Sequence, residues 1–186
     1  MTEKGVNVIM DLLNKAFEES KSETVDLVVE HELPGVTPEM IDWWWPHIYM
    51  ANTLWHPTEH IAFRYEELPS KSGQGGPTKV AVIVEKVSEY PASELRLRIE
   101  EDQSSFPIPT TYDHVNMSTI LGSGDKPIGW IHHDYIAESY GTKMRSTFRF
   151  PAKTPKQFLE AMRKHNIGEM GQFPKFLPEL YKQHAG

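Results

Sequence analysis

Short runs of alternating apolar and polar residues fill the chain between residues 59 and 150, and one amphipathic helix follows them. In the clearest run, SELRLRIE, the leucines and the isoleucine share one face and the two arginines share the other. Such alternation is typical of a strand with one buried face. Five or six antiparallel strands followed by one long helix predict an α+β fold, in which a curved sheet packs around that helix. A sheet of this shape commonly encloses a cavity.

The remaining patterns fit a single domain over residues 1–186. We expect an N-terminal helix within 1–22, strands with short helices over 24–150, a C-terminal helix over 154–170 and a tail over 171–186. Thr154-Pro155-Lys156-Gln157 reads as a capping box at the start of the C-terminal helix. Pro174 and Pro178 predict that no helix continues through the tail.

The composition excludes several classes of protein. A net charge of −7 without a basic patch argues against nucleic acid as a partner. No apolar stretch reaches the roughly 18 residues that span a membrane, and the N-terminus does not resemble a signal peptide, so we expect a cytoplasmic protein with no membrane partner. The segment Gly73–Gly76 lacks the lysine and the helix of a phosphate-binding loop. Cysteine is absent, so a metal site must use the carboxylates and the nine histidines.

A polar continuation of an apolar helix face gives the first candidate site. Phe158, Met162, His165 and Glu169 follow one another at steps of four, three and four residues, and therefore form one stripe. A histidine and a glutamate four residues apart on a helix can bind the same metal ion. The alternative is an ordinary ion pair near the helix end.

The segment WHPTEH gives a second candidate just before a strand. If that strand points Ile61, Phe63 and Tyr65 inward, His60 points outward, and His56 is the better candidate for the cavity. His60 remains the second choice. The alternative is a turn that holds a structural histidine.

The strand VAVIVEKVSE carries a carboxylate on its apolar face. Glu85 shares that face with Ala81 and Ile83, and Glu89 is the alternative on the same face. Burial of a carboxylate is costly unless a cation compensates it. Without a cation we expect neighbouring carboxylates to repel each other, so that at least one has a raised pKa.

Two adjacent histidines lie in a later strand, so only one of them can face the cavity. The alternation does not decide between His132 and His133. The aromatic cluster Trp43–Trp45, together with Tyr49, can supply flat apolar walls for a planar ligand. Nothing in the sequence has the pattern of a nucleophile elbow.

Together, the motifs TPEMIDWWWPH, LWHPTEH, VIVEKVSE and HNIGE resemble the family of diacetylphloroglucinol hydrolases and phloretin hydrolases over residues 34–170. Members of that family are zinc-dependent hydrolases that cleave the carbon–carbon bond between a polyphenol ring and an acyl group. The resemblance implies a helix-grip fold of the Bet v 1-like or START-like kind, which agrees with the order of elements.

The resemblance also implies roles for individual residues. It implies Zn²⁺ bound by His56, Glu85, His165 and Glu169, with His60 and Glu89 as alternative positions. An inner-strand histidine of the family corresponds to His133 or His132, which we expect to act as a general acid. Substrate contacts are expected from Tyr49, Tyr135, Trp44 and His60.

The function predicted from the sequence is therefore zinc-dependent hydrolysis of an acylated phenol or a similar small polyketide. Two other functions fit the same scaffold, namely a cyclase or isomerase of secondary metabolism and a carrier of hydrophobic ligands without enzymatic activity. Only the first requires a metal by this argument. A homodimer is compatible with the sequence, which does not fix the oligomeric state.

Overall fold

The computed structural model describes residues 7–68 and 78–185, and the predicted connector Gly73–Gly76 lies outside these residues. The chain contains five α-helices and seven strands in these ranges, apart from short 3-10 turns. They are α1 (Val8–Ser20), β1 (Thr24–Pro34), α2 (Pro38–His47), α3 (Asn52–Trp55), β2 (His60–Leu68), β3 (Thr78–Val87), β4 (Tyr90–Glu100), β5 (His114–Leu121), β6 (Pro127–Glu138), β7 (Gly141–Pro151), α4 (Lys156–Met170) and α5 (Phe173–His184).

All seven strands form one antiparallel sheet in the order β1-β7-β6-β5-β4-β3-β2. Helix α4 packs against its concave face and contributes Phe158, Ala161 and Met162 to the main apolar core. The predicted architecture of a curved sheet around a C-terminal helix is therefore confirmed. The alternation seen in the sequence explains it, because each strand offers one apolar face to the same core.

A second apolar cluster supports the other end of α4. It is built from α2, α3 and α5, and its centre is Trp44, which packs edge to face against Trp55 and Phe173. The prediction of a non-helical tail is wrong, since α5 covers most of residues 171–186. Pro174 lies in the first turn, where a helix does not need its N–H. Burial of Phe173 and Leu177 outweighs the hydrogen bond that Pro178 removes from the helix interior.

The start of α4 also differs from the prediction. The helix begins at Lys156 with Pro155 at the N-cap position and has no capping hydrogen bond from a side chain. Within the described part of the chain, Thr154 Oγ1 is buried without a hydrogen-bond partner. Gln157 reaches across to Glu89 instead of folding back on the helix start (3.1 Å). The predicted capping box is therefore wrong.

Candidate metal centre

A cavity of about 860 Å³, including its opening, lies between the sheet and α4. Most of its wall is aliphatic and aromatic. Apart from tryptophan and tyrosine, the charged and polar side chains that line it are Glu85, Asn116, Ser118, His133, His165 and Glu169. A mostly apolar cavity with a few converging polar groups is typical of a site for a small molecule.

Two imidazoles and two carboxylates meet at one corner of this cavity. His60 Nε2 lies 3.3 Å from Glu85 Oε2 and 3.5 Å from Glu169 Oε2. His165 Nε2 lies 3.6 Å from each of the same two oxygens. We call His60, Glu85, His165 and Glu169 the corner cluster. All four side chains are buried, although none of these residue types is usually buried without a partner.

Each member of the corner cluster owes its position to a local feature of the chain. Glu85 is on the inner face of β3, while the alternative, Glu89, is exposed in the turn after it. His165 and Glu169 are one helical turn apart on α4. His60 is at the start of β2 and pairs with Glu85 across the two strands.

The inward position of His60 corrects the sequence analysis. The pairing of β2 with β3 shifts between His60 and Ala62, so simple alternation does not hold there. Such a bulge reorients the side chains next to it. As a result His60 is buried, whereas Ile61, which was expected to point inward, is 49% exposed.

His56 lies beside the corner cluster and has a different set of neighbours. Its ring stacks on that of His165 with centroids 4.8 Å apart, and its Nε2 is 3.5 Å from Glu59 Oε2. Gly168 makes this packing feasible, because a Cβ at that position would come within 2.7 Å of His56 Nε2. The carboxylate nearest to His56 is thus Glu59, and of the two histidines in WHPTEH only His60 faces Glu85 and Glu169 together.

Protons compensate the charge of the corner cluster when no cation is bound. Burial alone would lower the pKa of His60, but Glu169 and Glu85 raise it to about 9. Burial likewise opposes protonation of His165, yet Glu85, Glu59 and Glu169 raise its pKa. Burial would raise the pKa of both carboxyl groups, and the two imidazoles lower them instead. The expected protonated carboxyl group is therefore wrong, because the histidines take the protons.

The donor atoms of the corner cluster fit a zinc ion. Zn²⁺ binds imidazole nitrogens and carboxylate oxygens at about 2.0–2.2 Å, so two donors to the same ion lie no more than about 4.4 Å apart. The four N···O distances are shorter than this limit. The donor atoms of His60, Glu85 and His165 all lie within 4.8 Å of one another. His60 Nε2 is buried and, among the described residues, has no hydrogen-bond partner.

Hydrogen bonds from behind hold two members of the corner cluster. Glu59 Oε2 is 2.6 Å from His165 Nδ1, and Glu59 Oε1 accepts a hydrogen bond from the backbone N–H of Ser88 (3.0 Å). Asn166 Nδ2 donates to Glu169 Oε1 (2.8 Å), and Asn166 Oδ1 is 2.8 Å from His31 Nε2. Partners of this kind orient metal ligands and fix the histidine tautomer.

The structure separates the two adjacent histidines of β6. His133 lines the cavity, where its ring stacks on Trp45 and its Nδ1 is 2.8 Å from Ser146 Oγ. Burial lowers the pKa of His133 to about 4, so its ring is neutral at pH 7. His132 lies on the other face of the sheet, next to Asp134 and Thr110. The expectation that His132 could serve in the cavity does not fit this placement.

Three aromatic residues expected to contact substrate lie away from the cavity wall. Trp44 is fully buried in the second apolar cluster. In α2 it is the neighbouring Trp45 that faces the cavity. Tyr49 is 58% exposed on the turn after α2. The hydroxyl of Tyr135 donates to Asp42 Oδ1 (2.6 Å) and accepts from Trp45 Nε1 (3.1 Å), so this residue lies behind Trp45.

Several residues of the site were missed in the sequence, although some left a signal. His31 has the same alternation as Leu27, Val29 and Leu33, all of which are buried. Asn116 and Ser118 likewise alternate with Ile120 on β5. Glu59 gave no periodic signal, because it lies in the turn between α3 and β2.

Known structures share the fold at low sequence identity. Ara h 8.0201 superposes with a TM-score of 0.56 at 16% identity, over 84% of this chain and 99% of its own. A START superfamily protein from Mycobacterium smegmatis gives 0.54 at 10%, over 84% and 98%. The di-domain ARO/CYC protein BexL from the BE-7585A biosynthetic pathway gives 0.56 at 12%, over 85% of this chain but only 52% of its own. These matches confirm the helix-grip fold.

Two further results concern the curated proteins and helices that could span a membrane. None of the curated proteins matches the chain. Within residues 7–68 and 78–185, no helix is both long enough and apolar enough to cross a bilayer.

The sequence profile of the DAPG hydrolase PhiG domain matches residues 16–150, which include β1 to β6, all of β7 except Pro151, and thus His60, Glu85 and His133. The chain therefore belongs to the DAPG hydrolase family.

Proposed function

We propose that the protein is a zinc-dependent hydrolase that cleaves the carbon–carbon bond between a phloroglucinol-type ring and its acyl group. The observation that carries the proposal is the corner cluster, whose four donor atoms converge at one corner of a mostly apolar cavity. His60, Glu85, His165 and Glu169 would hold the metal, so His60 replaces His56 in the ligand set. Zn²⁺ bound there would polarise the acyl carbonyl or lower the pKa of a bound water.

The polar residues of the cavity suit the rest of the substrate. Trp45 offers a flat surface for the ring, and Asn116 and Ser118 can form hydrogen bonds with its hydroxyl groups. In the hydrolysis, the hydroxyl of water adds to the carbonyl carbon, the carbon–carbon bond breaks, and the ring carbon gains a proton. The products are the free phenol and a carboxylic acid.

His133 is the residue proposed to handle the proton. Its Nδ1 is engaged with Ser146, which leaves Nε2 as the ring nitrogen available to substrate. Because its pKa is about 4, it acts as a neutral imidazole and not as an imidazolium ion. It can pass a proton to the ring carbon from one nitrogen while it regains one at the other.

Two histidine variants test the proposal. We expect His60→Ala to abolish both zinc binding, measured by elemental analysis, and release of acetate from diacetylphloroglucinol. His56→Ala is the matched control in the same segment, and it should retain one zinc per chain. Zinc that survives His60→Ala but not His56→Ala would reverse the assignment. If the wild-type protein binds acylphloroglucinols but neither binds zinc nor cleaves these compounds, the result would instead indicate a ligand carrier.

A further inference from the structure

The two long walls of the cavity change from polar to apolar in the same direction. On the inner face of β5, Asn116 and Ser118 are followed by Ile120, about 13 Å from Asn116 at the usual rise of a strand. On α4, His165 is followed toward the helix start by Met162 and Phe158, about 10 Å away along the axis.

The apolar ends of both walls belong to the same apolar cluster. It contains Ile120, Met162 and Phe158, together with Phe150 at the end of β7, whose ring centroid lies 5.8 Å from that of Phe158. At the other end, Asn116 pairs with His133 across β5 and β6. The cavity therefore has a polar end near His133 and an apolar end near Phe158, with the corner cluster at its side.

Helix α1 closes the apolar end. Leu13 lines the cavity there, and the backbone N–H of Ile9 donates to Ser93 Oγ (3.1 Å), which fixes the helix against β4. Leu13 precedes residues 16–150, so this part of the cavity wall lies outside the match to the family profile.

We infer that the apolar end binds the acyl chain of the substrate, and that the preferred substrates carry an acyl group several carbons longer than acetyl. The inference rests on the proposed function for the position of the carbonyl carbon at the corner cluster. The ring then lies toward Trp45 and His133, where hydrogen-bonding groups are available, and the chain extends between Met162, Ile120 and Leu13. An acetyl group would leave the apolar end without a ligand.

Binding of alkylphloroglucinols tests the inference without any bond cleavage, because these compounds lack the acyl carbonyl. We expect calorimetry on the wild-type protein to give an affinity that rises from ethyl- to butyl- to hexylphloroglucinol, by about fourfold for each buried methylene. In turnover assays, kcat/KM for hexanoylphloroglucinol should exceed that for acetylphloroglucinol at least tenfold. An affinity that does not depend on chain length would overturn the inference.

Variants in α1 localise the effect. Leu13→Ala should shift the best chain length upward and Leu13→Phe should shift it downward, since they lengthen and shorten the apolar end. Ile9→Ala is the matched control, because Ile9 is equally buried one turn earlier but does not line the cavity. An equal shift in Ile9→Ala would contradict the assignment. Chain-length-dependent binding without cleavage of any acylphloroglucinol would support this pocket but contradict the proposed hydrolase.

Discussion

Buried histidines stand next to buried carboxylates on both faces of the sheet. The corner cluster occupies the concave face, and His132 and Asp134 occupy the opposite face beneath the segment 106–112. In both places the residues are 5% exposed or less. The candidate metal site and the pair of His132 and Asp134, which lies away from the cavity, thus share the same kinds of residue and the same burial.

The two places differ in what surrounds the carboxylates. Asp134 Oδ2 accepts hydrogen bonds from the backbone N–H groups of Thr111 and Tyr112 and from the Thr111 hydroxyl. Its charge is therefore stabilised by donors from a neighbouring segment. In the corner cluster, Oε2 of Glu85 and Oε2 of Glu169 face the two imidazoles, and among the described residues no backbone N–H donates to either oxygen. What distinguishes the candidate metal site is therefore that several donor atoms point toward one position, and not that the residues are buried.

The sharpest way to break this comparison is to remove one carboxylate from each face. Glu85→Gln should reduce the zinc affinity at least 100-fold and abolish hydrolysis, because an amide is a poor ligand for zinc. Asp134→Asn should leave one zinc per chain and lower the free energy of unfolding by about 1–3 kcal/mol, since buried donors lose a charged acceptor. Elemental analysis and urea denaturation measure both effects.

Between pH 6.5 and 9, the stability of the protein should depend steeply on pH without metal and only weakly with metal. In chelated protein, the pKa of His60 is about 9 when folded and about 6.5 when unfolded. The folded state then binds the extra proton between these pH values, so stability falls as pH rises from about 6.5 to 9. The loss is on the order of 3 kcal/mol.

With Zn²⁺ bound, stability should change by less than about 1 kcal/mol over the same rise in pH, because the metal-bound histidines carry no extra protons and the unfolded ones lose theirs near pH 6.5. Thermal melts across this pH range, in excess zinc and in chelator, measure the two slopes. Equal slopes in both conditions would contradict metal binding at the corner cluster.

The fold could be read from the sequence, since strands such as β4 and β7 showed their alternation and α4 its stripe. The errors came where packing overrides a local rule. Phe173 and Leu177 keep α5 helical in spite of Pro178. At Thr154 the cap pattern was present, but the helix starts two residues later.

Only part of the candidate site could be predicted from the sequence, because the alternation of residues along one strand does not reveal a β-bulge. Glu85, His165 and Glu169 follow the period of their own strand or helix, so their faces were identified in the sequence. His60 precedes a shift in register, and no pattern of one strand reveals how its partner is aligned. Glu59 joins the site through tertiary structure alone.

Removal of the carboxylate behind His165 should have an intermediate effect. Glu59→Gln keeps the size of the side chain but weakens its hydrogen bond to His165 Nδ1. We expect zinc to bind about 10–100-fold more weakly while one zinc per chain still binds at saturation. Competition with a chromogenic chelator measures the affinity. Glu67→Gln, a substitution at an exposed position of β2, is the control. An unchanged zinc affinity in Glu59→Gln would show that His165 does not need the hydrogen bond with a carboxylate at Nδ1 in order to bind the metal.

The smallest expected effect concerns the histidine on the other face of the sheet. Thr110 Oγ1 lies 3.0 Å from His132 Nε2, and Thr110→Val removes this hydrogen bond with little change in shape. The free energy of unfolding should fall by about 1 kcal/mol, because the ring nitrogen stays buried without a partner. Zinc affinity and turnover should stay at wild-type values, since His132 points away from the cavity. A loss of metal in this variant, with the fold intact by circular dichroism, would mean that the two faces of the sheet are coupled through β6 and that their separation into structural and metal-binding groups is wrong.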